Sequence, residues 1–183
     1  MNYILGLDCS TKGTGWCIID KDDFNVIDSG CFKVDSTKEK NTLKRIEIMM
    51  NGILGIVNKY NPCQIVEEDV TPSIQNSMTV KQLATLKGCA YGIALTHKIP
   101  IVFILPNVWQ SALGILKSKG STKEQSINWT NNKYNTNFIY KNEGSKFNDD
   151  DTCDSINLVS YYLGNYEKIE KKYFGRRTPR KEE

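Results

Sequence analysis

The chain has 183 residues, 39% of them hydrophobic, and a formal net charge of +3. This length suits one domain with a core of its own, and the lack of a run of about 18 apolar residues or of a signal-peptide pattern predicts a cytoplasmic protein without membrane contact. The six cysteines include no Cys-x-x-Cys pair, which favours small buried side chains over a zinc or redox site.

The first part of the chain predicts three short strands followed by a helix. The strands cover residues 3–8, about 14–20 and about 25–33, and polar turns join them into a β-meander. From about Thr37 to Lys59, apolar residues recur at helical spacing and predict an amphipathic helix; they are Leu43, Ile46, Met50, Ile53 and Val57.

The second part of the chain alternates strands and helices. Asn61-Pro62 ends the first helix, and Gln64–Val66 is a short strand. The remaining patterns predict a helix over about 78–97, a buried strand at 101–104, short helices near 108–113 and 122–134, an Asn-rich loop over 131–148 and a last helix over about 150–166. The sequence therefore predicts an α/β fold with a mixed five-stranded sheet flanked by helices.

Charge divides the chain into two parts. Residues 167–183 contain seven basic and four acidic residues, and the remaining 17 basic and 17 acidic residues cancel. We therefore expect one folded domain over residues 1–166 and a basic, flexible tail over residues 167–183. Such a tail fits a polyanionic partner, although a solvated chain end has the same composition.

Acidic residues lie where two strands end and where the last helix begins. Asp8 closes the first strand, ahead of a Gly-rich turn. Glu67 and Glu68 end the fourth strand, and because strand side chains alternate, only one of them can share the face of Asp8. Asp151 and Asp154 are three residues apart, so they lie together on one side of the last helix.

These acids predict a metal site, whereas the adjacent Asp149 and Asp150 are explained as acids that favour a helix N-terminus. Ionised carboxylates are almost never buried without a partner, and a cluster of them repels itself unless cations bind. Oxygen ligands without His or Cys favour Mg²⁺, with Mn²⁺ as a substitute. Two such ions about 4 Å apart suit phosphodiester hydrolysis, which predicts a nucleic acid substrate.

With these residues identified, the sequence resembles the RuvC family of Holliday junction resolvases, within the RNase H-like superfamily. The hydrophobic strand that ends at Asp8 resembles the family's first motif, and Ile65–Glu68 resembles the second. Gln82–Gly88 is similar to a family helix with a Leu and Gly pattern, and Asp151–Ile156 resembles the closing DxxDA motif. The resemblance implies an RNase H-like fold and a phage-type, stand-alone member.

Position by position, the resemblance implies that Asp8, Asp151 and Asp154 bind the metal ions together with one of Glu67 or Glu68. Glu68 is favoured because it begins a stretch, Glu68–Val70, that resembles the Glu-x-apolar pattern of the family. Glu67 stays open as the alternative. The resemblance also implies two ions per site.

Basic and aromatic positions of the family are matched only in part. Lys123 falls in the segment where the family places a basic residue near the scissile phosphate, and a solvated lysine at a helix start is the alternative explanation. A second family lysine would fall near Trp109 or Gln110, so the contact of this lysine is absent or comes from Lys117 or Lys119. A family aromatic residue would fall on Thr71, or on Val70 if Glu67 is the ligand, and neither side chain can stack on a base.

The resemblance thus implies a homodimeric, Mg²⁺-dependent endonuclease that nicks Holliday junctions and other branched DNA in a bacterial or phage-infected cell. It implies no nucleotide cofactor.

Two alternative functions stay open. Asp8–Gly15 also resembles the phosphate-binding turn of actin-like phosphotransferases and ATPases, although that architecture needs a second half and many more residues. The other alternative is a module that binds branched DNA without cutting it.

Overall fold

Five strands and six α-helices form within residues 2–70 and 77–175, the part of the chain described by this computed structural model. In chain order they are β1 (Tyr3–Cys9), β2 (Gly13–Asp20), β3 (Val26–Lys33), α1 (Thr42–Tyr60), β4 (Gln64–Glu68), α2 (Ser77–Thr96), β5 (Ile101–Ile104), α3 (Pro106–Ala112), α4 (Thr122–Tyr134), α5 (Asp150–Gly164) and α6 (Tyr166–Phe174), with a 3₁₀ turn at Lys117–Lys119. The predicted α/β class is confirmed.

The strands form one mixed sheet in the order β3-β2-β1-β4-β5. The first three strands pair antiparallel as a meander, whereas β4 runs parallel to β1 and β5 runs parallel to β4. Because parallel strands end at the same edge of a sheet, the carboxyl ends of β1, β4 and β5 lie next to one another. Asp8 and Glu68 lie at this edge.

Side chains of β1 and β4 alternate between two cores on opposite faces of the sheet. Ile4 and Val66 belong to the core that α5 covers. Leu7 and Ile65 belong to the core that α1 covers. Successive residues near the ends of these two strands therefore face different helices, and this alternation decides which acids can meet.

Helix α1 begins at Thr42, later than the predicted start at Thr37. The side chain of Asn41 caps the helix by accepting hydrogen bonds from two backbone N–H groups of its first turn, at 3.0 and 3.3 Å. Thr37 instead belongs to a turn in which its N–H group donates to the side chain of Asp35 at 2.9 Å. Local capping thus overrides the apolar periodicity at this end.

Helix α6 occupies the start of the segment that the sequence predicted to be a flexible tail. Ile169 is buried in the core on the α5 side, and the hydroxyl of Tyr162 donates to Glu170 at 2.7 Å. The prediction is therefore wrong for residues 167–174, because one apolar side chain docks this helix. Residues 176–183 lie outside the described part of the chain, and the domain boundary at residue 166 stays a prediction.

None of the helices in residues 2–70 and 77–175 has both the length and the apolarity that a membrane crossing requires.

Candidate active site

Asp8 and Glu68 lie side by side at the ends of β1 and β4. The parallel register pairs Leu7 with Glu67, so the next residues of the two strands are also neighbours. Because Leu7 packs on the α1 side, alternation turns Asp8 and Glu68 to the α5 side. Both residues are half-buried at the edge of the sheet.

Glu67 points to the opposite face of the sheet and is only 1% exposed. Burial raises the pKa of Glu67 to about 8, although the charge of Lys87 and a hydrogen bond from Cys9 oppose the shift. Its Oε2 atom has no hydrogen-bond partner among the described residues. The structure therefore corrects the inclusion of Glu67 among the candidate catalytic acids, because strand alternation separates it from Asp8.

Two glycines allow α5 to bring its acids against the β1–β2 hairpin. A Cβ atom on Gly15 would lie 1.8 Å from the carbonyl oxygen of Asp151, and one on Gly13 would lie 2.7 Å from its Oδ2 atom. Gly15 pairs with Asp8 across the hairpin, so this contact places the start of α5 beside Asp8. The Gly-rich turn thus serves the close approach of a helix, which the comparison with phosphate-binding turns did not predict.

Four carboxyl groups at this place affect one another's protonation. Burial raises the pKa of Asp8 well above its ordinary value, and the charges of Glu68, Asp154 and Asp151 raise it further. Burial raises the pKa of Glu68 to about 7 and that of Asp154 to about 8, and it also raises the pKa of Asp151. Asp8, Glu68, Asp151 and Asp154 thus form one mutually repelling group, named the acid cluster.

The acid cluster has the donor chemistry of a site for hard divalent cations. Its ligand atoms are carboxylate oxygens on half-buried residues, and a cation would offset the burial and the repulsion that together raise the pKa of Asp8. Within residues 2–70 and 77–175, no three His, Cys, Asp or Glu side chains already stand in an arrangement that could hold a metal ion.

Lys123 lies beside the acid cluster and pairs with Asp150. The Nζ atom of Lys123 is 2.5 Å from Oδ2 of Asp150, whose side chain is 9% exposed. Asp150 lies in the first turn of α5, as its explanation as a helix N-terminal acid requires, but its charge also raises the pKa values of Asp8 and Asp154. The sequence analysis did not predict this second role of Asp150. The one feature of the sequence that points to it is the position of Asp150 next to Asp151.

Two buried donors hold acids of the cluster, and the sequence analysis identified neither. The indole of Trp109, on α3, donates to Oε2 of Glu68 at 2.8 Å, and the hydroxyl of Ser126, on α4, donates to Asp154. The resemblance to the family marks Trp109 only as a position near which the family has a lysine. Because donor and acceptor lie far apart in sequence, no local pattern signals these contacts.

A cleft of about 810 Å³ opens beside the acid cluster, and its lining carries charges of both signs. Four lysines line it together with Asp35, Asp150 and Asp151; they are Lys12, Lys33, Lys123 and Lys146. Lys117 and Lys119, the predicted substitutes for a family lysine, lie in the 3₁₀ turn and are not among its lining residues. Thr71, where the resemblance placed a family aromatic residue, lies outside the described residues.

Comparison with known proteins gives a family for this chain. Residues 4–128 match the family profile described as Crossover junction endodeoxyribonuclease RuvC. The protein of that name from Neisseria gonorrhoeae is 30% identical over 125 residues, which cover 67% of each chain. The one from Citrifermentans bemidjiense is 27% identical over 127 residues, covering 68% of this chain and 76% of the relative. The profile match ends before α5.

Solved structures extend the similarity over nearly the whole chain at the level of the fold. RuvC from T. thermophilus, in complex with a Holliday junction substrate, aligns with a TM-score of 0.71 and 10% identity, covering 92% of this chain and 96% of that one. The fowlpox virus resolvase, also in complex with a Holliday junction, aligns with a TM-score of 0.53 and 21% identity, covering 90% and 98%. The predicted RNase H-like fold is confirmed.

Proposed function

The chain belongs to the RuvC family of crossover junction endodeoxyribonucleases, and we propose that its acid cluster is the active site at which Holliday junctions and other branched DNA are nicked. One observation carries this proposal. Asp8 and Glu68, at adjacent strand ends, face the same side of the sheet as Asp151 and Asp154. The charges of the other three residues raise the pKa of Asp8.

We propose that Asp8, Glu68, Asp151 and Asp154 hold divalent cations, on which nucleases of this family depend. The oxygen-only donor set favours Mg²⁺, with Mn²⁺ as a substitute, and four carboxylates suffice for two ions. When bound, such ions activate a water molecule and stabilise the leaving oxygen of a phosphodiester. Trp109 and Ser126 orient two of these carboxylates through their hydrogen bonds.

Lys123 is proposed to act on the scissile phosphate through its positive charge. Its pair with Asp150 holds the ammonium group at the rim of the acid cluster, and its 40% exposure leaves it accessible to DNA. The lysine-lined cleft extends this positive charge along one side of the site. DNA would contact it mainly through phosphates, so its affinity should fall steeply with salt.

We also propose a homodimer in the cytoplasm, where each subunit cuts one strand of the junction. From Ala84 to Thr96, α2 contains a single charged residue, Lys87, which turns inward to pair with Asp69. The outer side of this helix exposes Tyr91 (51%) and Leu95 (66%). An uncharged helix face with exposed large side chains supports contact with a second copy of the chain.

A synthetic four-way junction tests the proposed function directly. In EDTA we expect the protein to bind the junction without cutting it, and on addition of Mg²⁺ we expect paired nicks, because the acid cluster works only with cations. Asp8→Asn should bind the junction and fail to cut it. Binding without cutting by the unmodified protein in Mg²⁺ would instead support the binding-only alternative, and stabilisation by ATP would support the actin-like one.

A further inference from the structure

We propose that Ser126, Asn157 and Thr130 form a buried hydrogen-bond chain that orients Asp154, and that Ser126 is a positioning residue for the reaction. Ser126 and Thr130 lie on α4 and Asn157 lies on α5. Their exposures are 1%, 0% and 0%, so water cannot take the place of any member. The inference rests on the proposed role of Asp154 as a metal ligand.

The amide of Asn157 has only one workable orientation. Its Nδ2 atom lies 3.0 Å from the backbone carbonyl oxygen of Ser126 and 2.8 Å from the Oγ atom of the same residue. Its Oδ1 atom accepts a hydrogen bond from the hydroxyl of Thr130 at 2.8 Å. A flipped amide would place its oxygen against a carbonyl oxygen, which has no hydrogen to donate.

This orientation fixes the direction of the Ser126 hydroxyl. A serine hydroxyl carries one hydrogen and can also accept. Because Oγ of Ser126 accepts from the amide of Asn157, its own hydrogen is left for Oδ1 of Asp154. The chain therefore delivers one donor to one oxygen of Asp154 and leaves the other oxygen for a cation.

Residues that hold a metal ligand in place commonly set the affinity of a site. Loss of such a partner typically lowers metal affinity or activity about 10–100-fold. Ser126 and Asn157 carry no charge, so their removal leaves the total charge of the acid cluster unchanged. Any effect of these substitutions on cation binding would thus act through the carboxyl group of Asp154.

Ser126→Ala tests the proposal because it removes the donor to Asp154 and only one heavy atom. We expect the affinity for Mg²⁺, measured by calorimetry without DNA, to fall about 10–100-fold, and kcat to fall while KM for the junction stays unchanged. Ser155→Ala is the matched control: Ser155 is 0% exposed on α5, and its hydroxyl donates to the carbonyl of Thr152 at 2.7 Å. Its Mg²⁺ affinity should equal that of the unmodified protein.

A double variant tests whether Asn157 acts through Ser126. If it does, Asn157→Ala combined with Ser126→Ala should bind Mg²⁺ no more weakly than Ser126→Ala alone, and additive losses would overturn this link. Thr130→Val, which keeps the side-chain shape, gives the same test if Asn157→Ala fails to fold. If the unmodified protein is active and Ser126→Ala binds Mg²⁺ with the same affinity, the inference is overturned. If the unmodified protein neither binds Mg²⁺ nor cuts DNA, the proposed function is overturned instead.

Discussion

Glu67 and Glu68 are neighbours in sequence, but their carboxyl groups lie in different surroundings. Glu68 is half-buried at the sheet edge, where the indole of Trp109 donates to it. Glu67 is closed off on the other face beside Cys9 and Lys87. The sequence could narrow the choice to these two residues, because alternation admits only one of them. It could not choose between them without the register of β4 against β1.

Glu67 should make the stability of the protein depend on pH. Its pKa in the folded protein is about 8, raised from 4.5 mainly by burial. Because the folded state holds this proton more tightly than the unfolded state, the free energy of unfolding falls as pH rises from about 4.5 toward 8. We expect Glu67→Gln to reduce this fall, measured by thermal unfolding in EDTA from pH 5 to 8.

The control for this measurement is a glutamate on the surface. Glu47→Gln replaces a carboxylate that is 55% exposed and pairs with Lys44 on the same helix. It should leave the pH dependence of the melting temperature unchanged. The same pH dependence in Glu67→Gln and the unmodified protein would contradict the assigned environment of Glu67.

At the scale of elements, the position of α5 determines whether the acid cluster exists. Its first turn rests on Gly13 and Gly15 of the hairpin, and a Cβ atom on Gly15 would overlap the backbone of Asp151. Periodicity predicted α5, β1 and β2 as separate elements. Periodicity could not predict the contact between them. The contact depends on two glycines without a Cβ atom, and these glycines lie far from the helix in sequence. The same limit explains why Asp150, Trp109 and Ser126 were missed as parts of the site.

Gly15→Ala should displace α5 and destabilise the fold. The added Cβ would lie 1.8 Å from a backbone oxygen, a contact that no side-chain rotation relieves. Overpacking commonly costs about 1–3 kcal/mol, and we expect at least about 3 kcal/mol here in urea unfolding. Junction cutting should fall with it, since Asp151 moves with the helix.

Gly55→Ala is the matched control for the glycine contact. Gly55 is exposed on α1, and a Cβ atom there meets nothing within 4 Å. Alanine stabilises helix interiors by up to about 1 kcal/mol over glycine, so this variant should be as stable as the unmodified protein or more so. Equal stability of the two alanine variants would contradict the close approach of α5.

At the scale of the whole molecule, the acid cluster and α2 offer two surfaces with opposite properties. The cluster is charged, and four lysines line the cleft beside it, as DNA binding requires. The outer side of α2 is uncharged from Ala84 to Thr96, apart from the inward-turned Lys87. A second subunit on α2 would let one dimer present two acid clusters to the two strands of a junction.

Leu95→Glu should break the proposed dimer. It places a charge near the C-terminal end of the uncharged side of α2, at a residue that is 66% exposed, so the monomer fold should be unaffected. We expect sedimentation to give a dimer for the unmodified protein and a monomer for this variant. Ile27→Glu, on β3 and 45% exposed, is the control and should stay dimeric. A Leu95→Glu dimer would rule out α2 as the interface.

The central claim is that Asp8, Glu68, Asp151 and Asp154 are the catalytic acids, and two adjacent substitutions test it most directly. The measurement is the single-turnover rate of cutting a preformed four-way junction in Mg²⁺ by Glu68→Gln and by Glu67→Gln. Because loss of an indirect partner of a metal already costs about 10–100-fold, loss of a ligand should slow Glu68→Gln by more than about 100-fold, whereas Glu67→Gln should cut at a rate close to that of the unmodified protein. Rapid cutting by Glu68→Gln, or loss of cutting by a folded Glu67→Gln, would contradict the account.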